Sequence, residues 1–205
     1  MSTGVVIAGG RSTRFGDADK AVADLAGTPM VRRVADRLGP AVESLVVNCR
    51  EDQHDAIAIA LDDYDLPVAF ALDEDPDEGP MAGIRTGLRA VETEYAFVAA
   101  CDMPFVDPDL VAYLLERAEG FDAAVPRPDE WFETTHAAYR ADAMADACDK
   151  ALERGDRKII APLFDLDYVT VGVEELRERG SLDSFDSLDT RAAFHAAADR
   201  LRRQD

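Results

Sequence analysis

The chain has 205 residues, 47% of them hydrophobic, enough for one sizeable α/β domain with a real core. Its 42 acidic residues against 22 basic ones give a formal net charge of −20, a surface that repels nucleic acid and anionic membrane. No apolar run approaches the ~18 residues of a membrane span, and the first strand starts almost at once, without the basic start and apolar core of a signal peptide.

Cys49, Cys101 and Cys148 are odd in number and far apart, which fits neither a metal spacing nor a disulfide framework. A reducing cytoplasm is therefore expected. Lysine is scarce, with only Lys20, Lys150 and Lys158. So acidic a surface repels itself in dilute salt. Molar salt shortens the Debye length to ~3 Å and removes most of that penalty, so the composition points to a salt-rich cytoplasm, the plainer alternative being a merely acidic mesophile protein.

Val5-Val6-Ile7-Ala8 is an apolar, β-branched run of strand length that breaks at Gly9-Gly10. Two glycines let the backbone approach a ligand and turn successive N–H groups into one space. Arg11, Arg14 and Lys20 follow within ten residues, and spaced cations after such a turn suit a triphosphate. Two familiar phosphate loops do not fit. A P-loop needs four residues between its glycines and a Lys directly after the second, whereas five separate Gly10 from Gly16 and Asp17 follows. A G-x-G-x-x-G fingerprint is absent too. For the glycine pair alone, an ordinary strand-to-helix turn with solvated charges is the plainer reading.

Leu25-Ala26-Gly27 reads as a turn, with Thr28 capping a helix that has Pro29 at its first position. Met30, Val34 and Leu38, beside Val31 and Ala35, make one apolar stripe ended by Gly39-Pro40. Residues 45–47 read as a second strand, 56–61 belong to a second helix and 68–72 form a third strand. Residues 73–78 are five acids and a proline, and Gly79-Pro80 opens a helix with Met81, Ile84, Leu88 and Val91 on one face. Residues 95–100 are nearly all apolar, as in a strand buried on both faces, and deliver Cys101-Asp102 to its carboxyl end. Open α/β sheets bind ligands at that edge. Asp107-Pro108 starts a helix with Leu110, Val111, Leu114 and Leu115 inward. A short strand over 123–125 precedes a break over 126–133 that holds two prolines and the single tryptophan, Trp131. Helices are expected over 142–153 and from 157 to about 164, a strand over 168–171, and a helical tail over 189–203 with Phe194, Ala197 and Leu201 in phase. The alternation predicts an α/β fold with an open, mostly parallel sheet and right-handed crossovers. No repeat or linker interrupts it, so residues 1–205 read as a single domain.

Asp102 is the carboxylate best placed to hold a cation in the crevice, where Mg²⁺ takes one or two carboxylates plus phosphates and waters. A turn or N-cap aspartate before Met103-Pro104 is the structural alternative. Asp73 ends a strand at the same edge, with Asp75 and Asp77 as solvated rivals. Lys20 offers a compact ammonium as a point charge for a phosphate. Asn48 ends the second strand and equally suits a turn cap. Arg154, Arg157 and Lys158 are either a solvated helix start or a site for an acceptor phosphate. His54 and His195 read as surface residues on helices.

Ala8 to Lys20, A-G-G-x-x-x-R-F-G-x-x-D-K, resembles the motif of nucleotidyltransferases that move NMP from an NTP onto a phosphorylated acceptor. Val46-Val47-Asn48, Gly79-Pro80-Met81-Ala82-Gly83-Ile84, Cys101-Asp102-Met103-Pro104 and Gly155-Asp156-Arg157-Lys158 come after it in the family's order. Together these motifs span residues 4–194 and are similar to the MobA-like molybdenum cofactor guanylyltransferases, in an acidic form of haloarchaeal type.

The resemblance implies a three-layer, nucleotide-diphospho-sugar transferase-like fold. Its Rossmann-like, nucleotide-binding half would cover about residues 1–105 and its acceptor half about 106–205. It implies GTP as substrate, Mg²⁺ on Asp102, a molybdopterin-type acceptor, and transient contact with other proteins of cofactor assembly. Arg14, Lys20 and Asp102 would be catalytic. Ile7, Ala8, Gly9, Gly10, Lys20, Asn48, Asp73, Gly83 and Asp102 would line the nucleotide. The chain departs from the pattern in two places. Ala137 stands after His136 where the family shows His-Pro, and Ser187-Leu188-Asp189-Thr190-Arg191 replaces N-x-N-T-P. Those departures leave open a related guanylyl- or cytidylyltransferase acting on a sugar, corrinoid or other phosphate, or a nucleotide-binding regulatory module without catalysis.

Overall fold

Val5 and Val6 are neighbours in sequence and both fully buried, yet they face opposite cores. Side chains alternate along a strand, so β1 (Ser2–Ile7) must have apolar cover on both sides. The computed structural model, which describes residues 1–10, 19–73 and 79–203, shows how that cover is built.

Among the described residues, seven strands form one sheet in the order β5 (Val68–Leu72), β4 (Ser44–Cys49), β1, β6 (Tyr95–Ala100), β8 (His136–Arg140), β7 (Ala123–Arg127) and β9 (Tyr168–Gly172). All run parallel except β8, which is antiparallel to both of its neighbours. Ala99 pairs with His136, so the reversed strand begins at the edge where β1, β4, β5 and β6 end.

Helices α1 (Met30–Leu38), α2 (His54–Ala60), α4 (Pro108–Ala118) and α6 (Val173–Arg179) bury Val34, Ile57, Leu110, Leu114 and Leu176 against one face. Helices α3 (Pro80–Arg89) and α5 (Ala141–Glu153) bury Ile84, Leu88, Met144 and Cys148 against the other. Each fully buried Leu or Ile contributes roughly 1.5–3 kcal/mol over leaving it in water. The result is the expected three-layer α/β architecture. Helix α3 approaches the sheet closely because two glycines one turn apart face it. A Cβ on Gly83 would lie 2.6 Å from Asn48 Oδ1, and one on Gly87 2.7 Å from Val5 Cγ1.

A hairpin of β2 (Asp24–Leu25) and β3 (Thr28–Pro29) corrects one expectation. Ala26 and Gly27 both adopt positive φ, 54° and 84°, which turns Thr28 and Pro29 back onto Leu25 and Asp24. Thr28 therefore caps no helix, and α1 begins at Met30. Arg33 fixes the turn through Leu25 O at 2.6 Å and Ala26 O at 2.8 Å.

A third core seats α7 (Arg191–Leu201) on this hairpin: Leu188, Ala197 and Ala198 meet Leu25 and Met30. Thr190 caps α7, its Oγ1 accepting from Ala193 N at 3.1 Å. Residues 157–164 do not form one helix. Gly155 ends the preceding stretch at positive φ, and only Ala161–Asp165 coils, as a 3₁₀ turn holding Pro162. Strand β8 and helix α6 were not expected from sequence. His136-Ala137-Ala138-Tyr139-Arg140 has small, weak strand formers, and its place between β6 and β7 comes from tertiary pairing. All three cysteines are free and buried. Among the described residues no helix is long and apolar enough to cross a membrane.

Candidate active site

At the carboxyl edge β1 gives way to Ala8, whose N–H still donates to Asn48 O at 2.8 Å. The next carbonyls are claimed by side chains from the β4–α2 connection. Gln53 Nε2 donates to Ala8 O at 3.1 Å, and Arg50 Nη1 to Gly9 O at 2.9 Å and Gly10 O at 3.3 Å. Gly9 is buried and Gly10 exposed. A Cβ on Gly9 would lie 2.2 Å from Asp73 Oδ2, so glycine leaves the space that the Asp73 carboxylate occupies. Sequence reading missed Arg50 and Gln53. The available signal was a polar run, Arg50-Glu51-Asp52-Gln53, directly after a buried strand.

Asn48 is fully buried and supports Asp73. Its Nδ2 donates to Asp73 Oδ1 at 2.6 Å and to Ala71 O at 3.1 Å. Exchanging its amide atoms would set a carbonyl against two acceptors, so the orientation is fixed by its partners. Asn48 Oδ1, buried beside Gly83, has no donor among the described residues. Burial pushes the Asp73 carboxyl up, outweighing the opposing pull of the Asn48 hydrogen bond and of Arg50 and Arg85.

Across β1 lies the charged half of the site. Ile7 O accepts from Cys101 N at 3.0 Å, which holds the start of the turn that carries Asp102. Lys20 sits in a 3₁₀ turn capped by Asp19, and its side chain is almost wholly buried. Its Nζ donates to Asp102 Oδ2 at 2.8 Å and lies 3.6 Å from Asp189 Oδ1. Leu188 N donates to Asp102 O at 2.9 Å, so the altered tail segment is tied directly to Asp102. Glu133, at the entry to β8, has its carboxyl pushed up by burial and then by the charges of Asp129 and Asp102. One ammonium thus faces Asp102 and Asp189 with Glu133 in the same field, an arrangement that a further cation would relieve. Among the described residues no three His, Cys, Asp or Glu converge into a ready cage. Oxygen donors without a full cage fit a Mg²⁺ that draws its other ligands from phosphates and water.

The structure brings Ile7, Ala8, Gly9, Gly10, Asn48, Asp73 and Gly83 together on one side of this crevice, with Lys20 and Asp102 on the other. Arg14, Asp75 and Asp77 lie outside the described residues. The basic cluster divides. Arg154 is held by Asp156 at 3.1 Å and Asp165 at 2.9 Å, while Arg157 and Lys158 are exposed. His136 is a core residue between the rings of Phe97 and Phe185, its Nε2 2.9 Å from Ser184 Oγ, and burial lowers it to about 3. His195 is exposed, and His54 lies edge-on to Phe70.

Residues 4–168 match the MobA-like NTP transferase domain. A Natronomonas pharaonis protein named "Probable molybdenum cofactor guanylyltransferase" is 56% identical, with 97% of this chain and 98% of the relative covered. The crystal structure of "Molybdopterin-guanine dinucleotide biosynthesis protein A" from Archaeoglobus fulgidus superposes with a TM-score of 0.81 at 29% identity, covering 98% of this chain and 99% of that one. The 4-diphosphocytidyl-2C-methyl-D-erythritol synthase of Anaerococcus prevotii, 14% identical with a TM-score of 0.74 over 98% and 96% of the two chains, shares the fold.

Proposed function

We propose a reaction for this chain from one premise: it belongs to the MobA-like NTP transferase family. The chain transfers GMP from GTP to the phosphate of a molybdopterin-type acceptor. An acceptor phosphate oxygen attacks the α-phosphorus, a new P–O–P bond forms, and the bond to the β-phosphate breaks with release of pyrophosphate. A phosphate nucleophile is already ionised at neutral pH, so no general base is required. The work left to the protein is positioning and charge neutralisation.

The observation that carries this reading is Lys20 Nζ against Asp102 at the carboxyl edge, between β1 and β6. GTP binding releases Lys20 from shared carboxylates to an α-phosphate oxygen. The Gly9 and Gly10 amides, with Arg14, receive the departing pyrophosphate. Asp73, held by the Asn48 amide, and Gly83, whose missing side chain leaves room for Asn48 Oδ1, border the nucleoside. Asp102 would hold Mg²⁺, which when bound offsets charge on the α- and β-phosphates. Arg157 and Lys158, exposed beyond α5, belong to the acceptor half. The reaction runs in a salt-rich cytoplasm, with the acceptor passed in transient contacts with other assembly proteins.

One observation favours a second reading of the acceptor. Asp189 stands in the altered tail segment and reaches to 3.6 Å from Lys20, so the departure from the family pattern falls beside the reacting phosphate. That reading keeps nucleotidyl transfer and changes the phosphorylated acceptor. The test is pyrophosphate release in molar KCl with Mg²⁺, each NTP being offered with molybdopterin and then with other phosphorylated acceptors. Release with GTP and molybdopterin, and the guanylylated product by mass, is the expected result. Release with a different pair replaces the acceptor. GTP binding without release from any acceptor leaves a regulatory nucleotide-binding module.

A further inference from the structure

Three successive carbonyls at the end of β1 are claimed by side chains of the β4–α2 connection. Ala8 O accepts from Gln53 Nε2 at 3.1 Å, and Gly9 O and Gly10 O accept from a single nitrogen, Arg50 Nη1, at 2.9 and 3.3 Å. A trans peptide places each N–H opposite the preceding C=O. Pinning Ala8 O and Gly9 O therefore turns the N–H groups of Gly9 and Gly10 the other way. Neither amide finds an acceptor among the described residues. Two adjacent N–H groups turned away from their pinned carbonyls make an anion receptor.

Arg50 is itself held. Its backbone N–H donates to Gln53 Oε1 at 3.0 Å, and its Nε and Nη2 reach the two Asp52 oxygens at 2.9 and 3.4 Å. Its Nη2 also lies 4.0 Å from Asp19 Oδ2, the cap of the turn that carries Lys20. One guanidinium thus fixes the glycine carbonyls and reaches toward the base of the lysine turn. An unbranched ammonium could meet one of these partners but not span them. With its charge shared between two aspartates, Arg50 acts through the peptides it orients.

We propose that Arg50, braced by Gln53, is a positioning residue that presets the Gly9 and Gly10 amides for the phosphates of the nucleotide. The inference rests on the nucleotidyl transfer reading for the identity of the anion. It predicts a loss confined to the phosphate side of the site, which a purely structural role would not produce.

The test compares the full chain with Arg50→Ala, Arg50→Lys and Gln53→Ala, in molar KCl with Mg²⁺. Equilibrium binding is measured for GTP and for inorganic tripolyphosphate, which carries the charge without the base, alongside the KM of each substrate. Arg50→Ala is expected to weaken both ligands about equally, by tenfold or more, with the acceptor KM unchanged. Arg50→Lys recovers part of the loss, and Gln53→Ala shows a smaller loss of the same kind. Should Arg50→Ala fail to fold, the graded loss in the other two variants reads the same property. Folded variants with unchanged affinity for both ligands overturn the proposal while leaving nucleotidyl transfer standing. A parent chain that binds tripolyphosphate but releases no pyrophosphate overturns the reaction, and the tripolyphosphate loss in Arg50→Ala still supports the positioning role. Binding of neither ligand by the parent overturns both.

Discussion

Lys20 Nζ and Asp102 Oδ2 stand 2.8 Å apart, although 82 positions separate them in the chain. The 3₁₀ turn after the glycine loop supplies one and the end of the buried strand β6 the other. Truncating either strips the other of a counter-charge at hydrogen-bond distance, at a cost of roughly 1–3 kcal/mol after discounting for partial exposure. Asp102→Ala is expected to remain folded by circular dichroism and to lose Mg²⁺-dependent pyrophosphate release. Lys20→Met should lower kcat by about a hundredfold or more, the scale of removing one preorganised charge from a transition state. Full activity in a folded Asp102→Ala chain would take Asp102 out of the mechanism.

The two glycines of α3 make a matched pair of probes. Gly83→Ala drives a methyl toward Asn48 Oδ1, and Asn48 carries Asp73. Gly87→Ala drives one toward Val5 in the core. Both should lower stability by about 1–3 kcal/mol, as overpacking does. Gly83→Ala alone should also weaken GTP binding. Denaturant midpoints together with GTP titrations separate the two effects, and equal GTP affinity in both variants would detach Asn48 and Asp73 from the nucleotide.

His136 gives a pH dependence of definite sign. Burial depresses it from 6.5 to about 3, so the folded state keeps it neutral while the unfolded chain takes up a proton. Its contribution is present above pH 6.5 and is lost as pH falls through that value towards the folded one. The loss approaches about 1.4 kcal/mol per pH unit below the unfolded pKa. His136→Asn should be less stable than the parent at pH 7, with the gap narrowing at pH 5. Thermal midpoints at constant KCl measure it, and a constant gap would contradict the assignment.

Salt should stabilise the fold. Exposed pairs such as Arg89 with Asp146 and Asp149 contribute little and weaken with salt, whereas the repulsion of a net charge of −20 is long-ranged. The thermal midpoint is expected to climb as KCl rises from dilute to molar. A steady fall over that range would count against a salt-adapted surface.

The parts of the site legible in sequence were those fixed locally. Val5-Val6-Ile7-Ala8 and residues 95–100 announce buried strands by composition. Gly9-Gly10 and Cys101-Asp102, coming directly after them, then land at the ligand edge by the rule of parallel sheets. Arg50, Gln53 and Asp189 act through long-range contacts, side chain to a distant carbonyl or carboxylate to a distant ammonium; the polar run 50–53 after a buried strand marks the first two but does not name their partners. The Thr28 reading failed because two successive positive-φ residues made a hairpin where an N-cap also fitted the letters. Strand β8 was hidden because alanines carry almost no strand preference of their own.

The seating of α7 on the β2–β3 hairpin has a consequence for biosynthesis. A chain emerging from the ribosome can pair β1 with β4 and β6 early, since those segments lie within its first hundred residues. Leu188 and Asp189, which bond Asp102 and approach Lys20, emerge far later. A nascent chain halted before them carries a pairable sheet but a lysine with one carboxylate fewer beside it. Completion of the crevice is thus coupled to the arrival of residues 188–201.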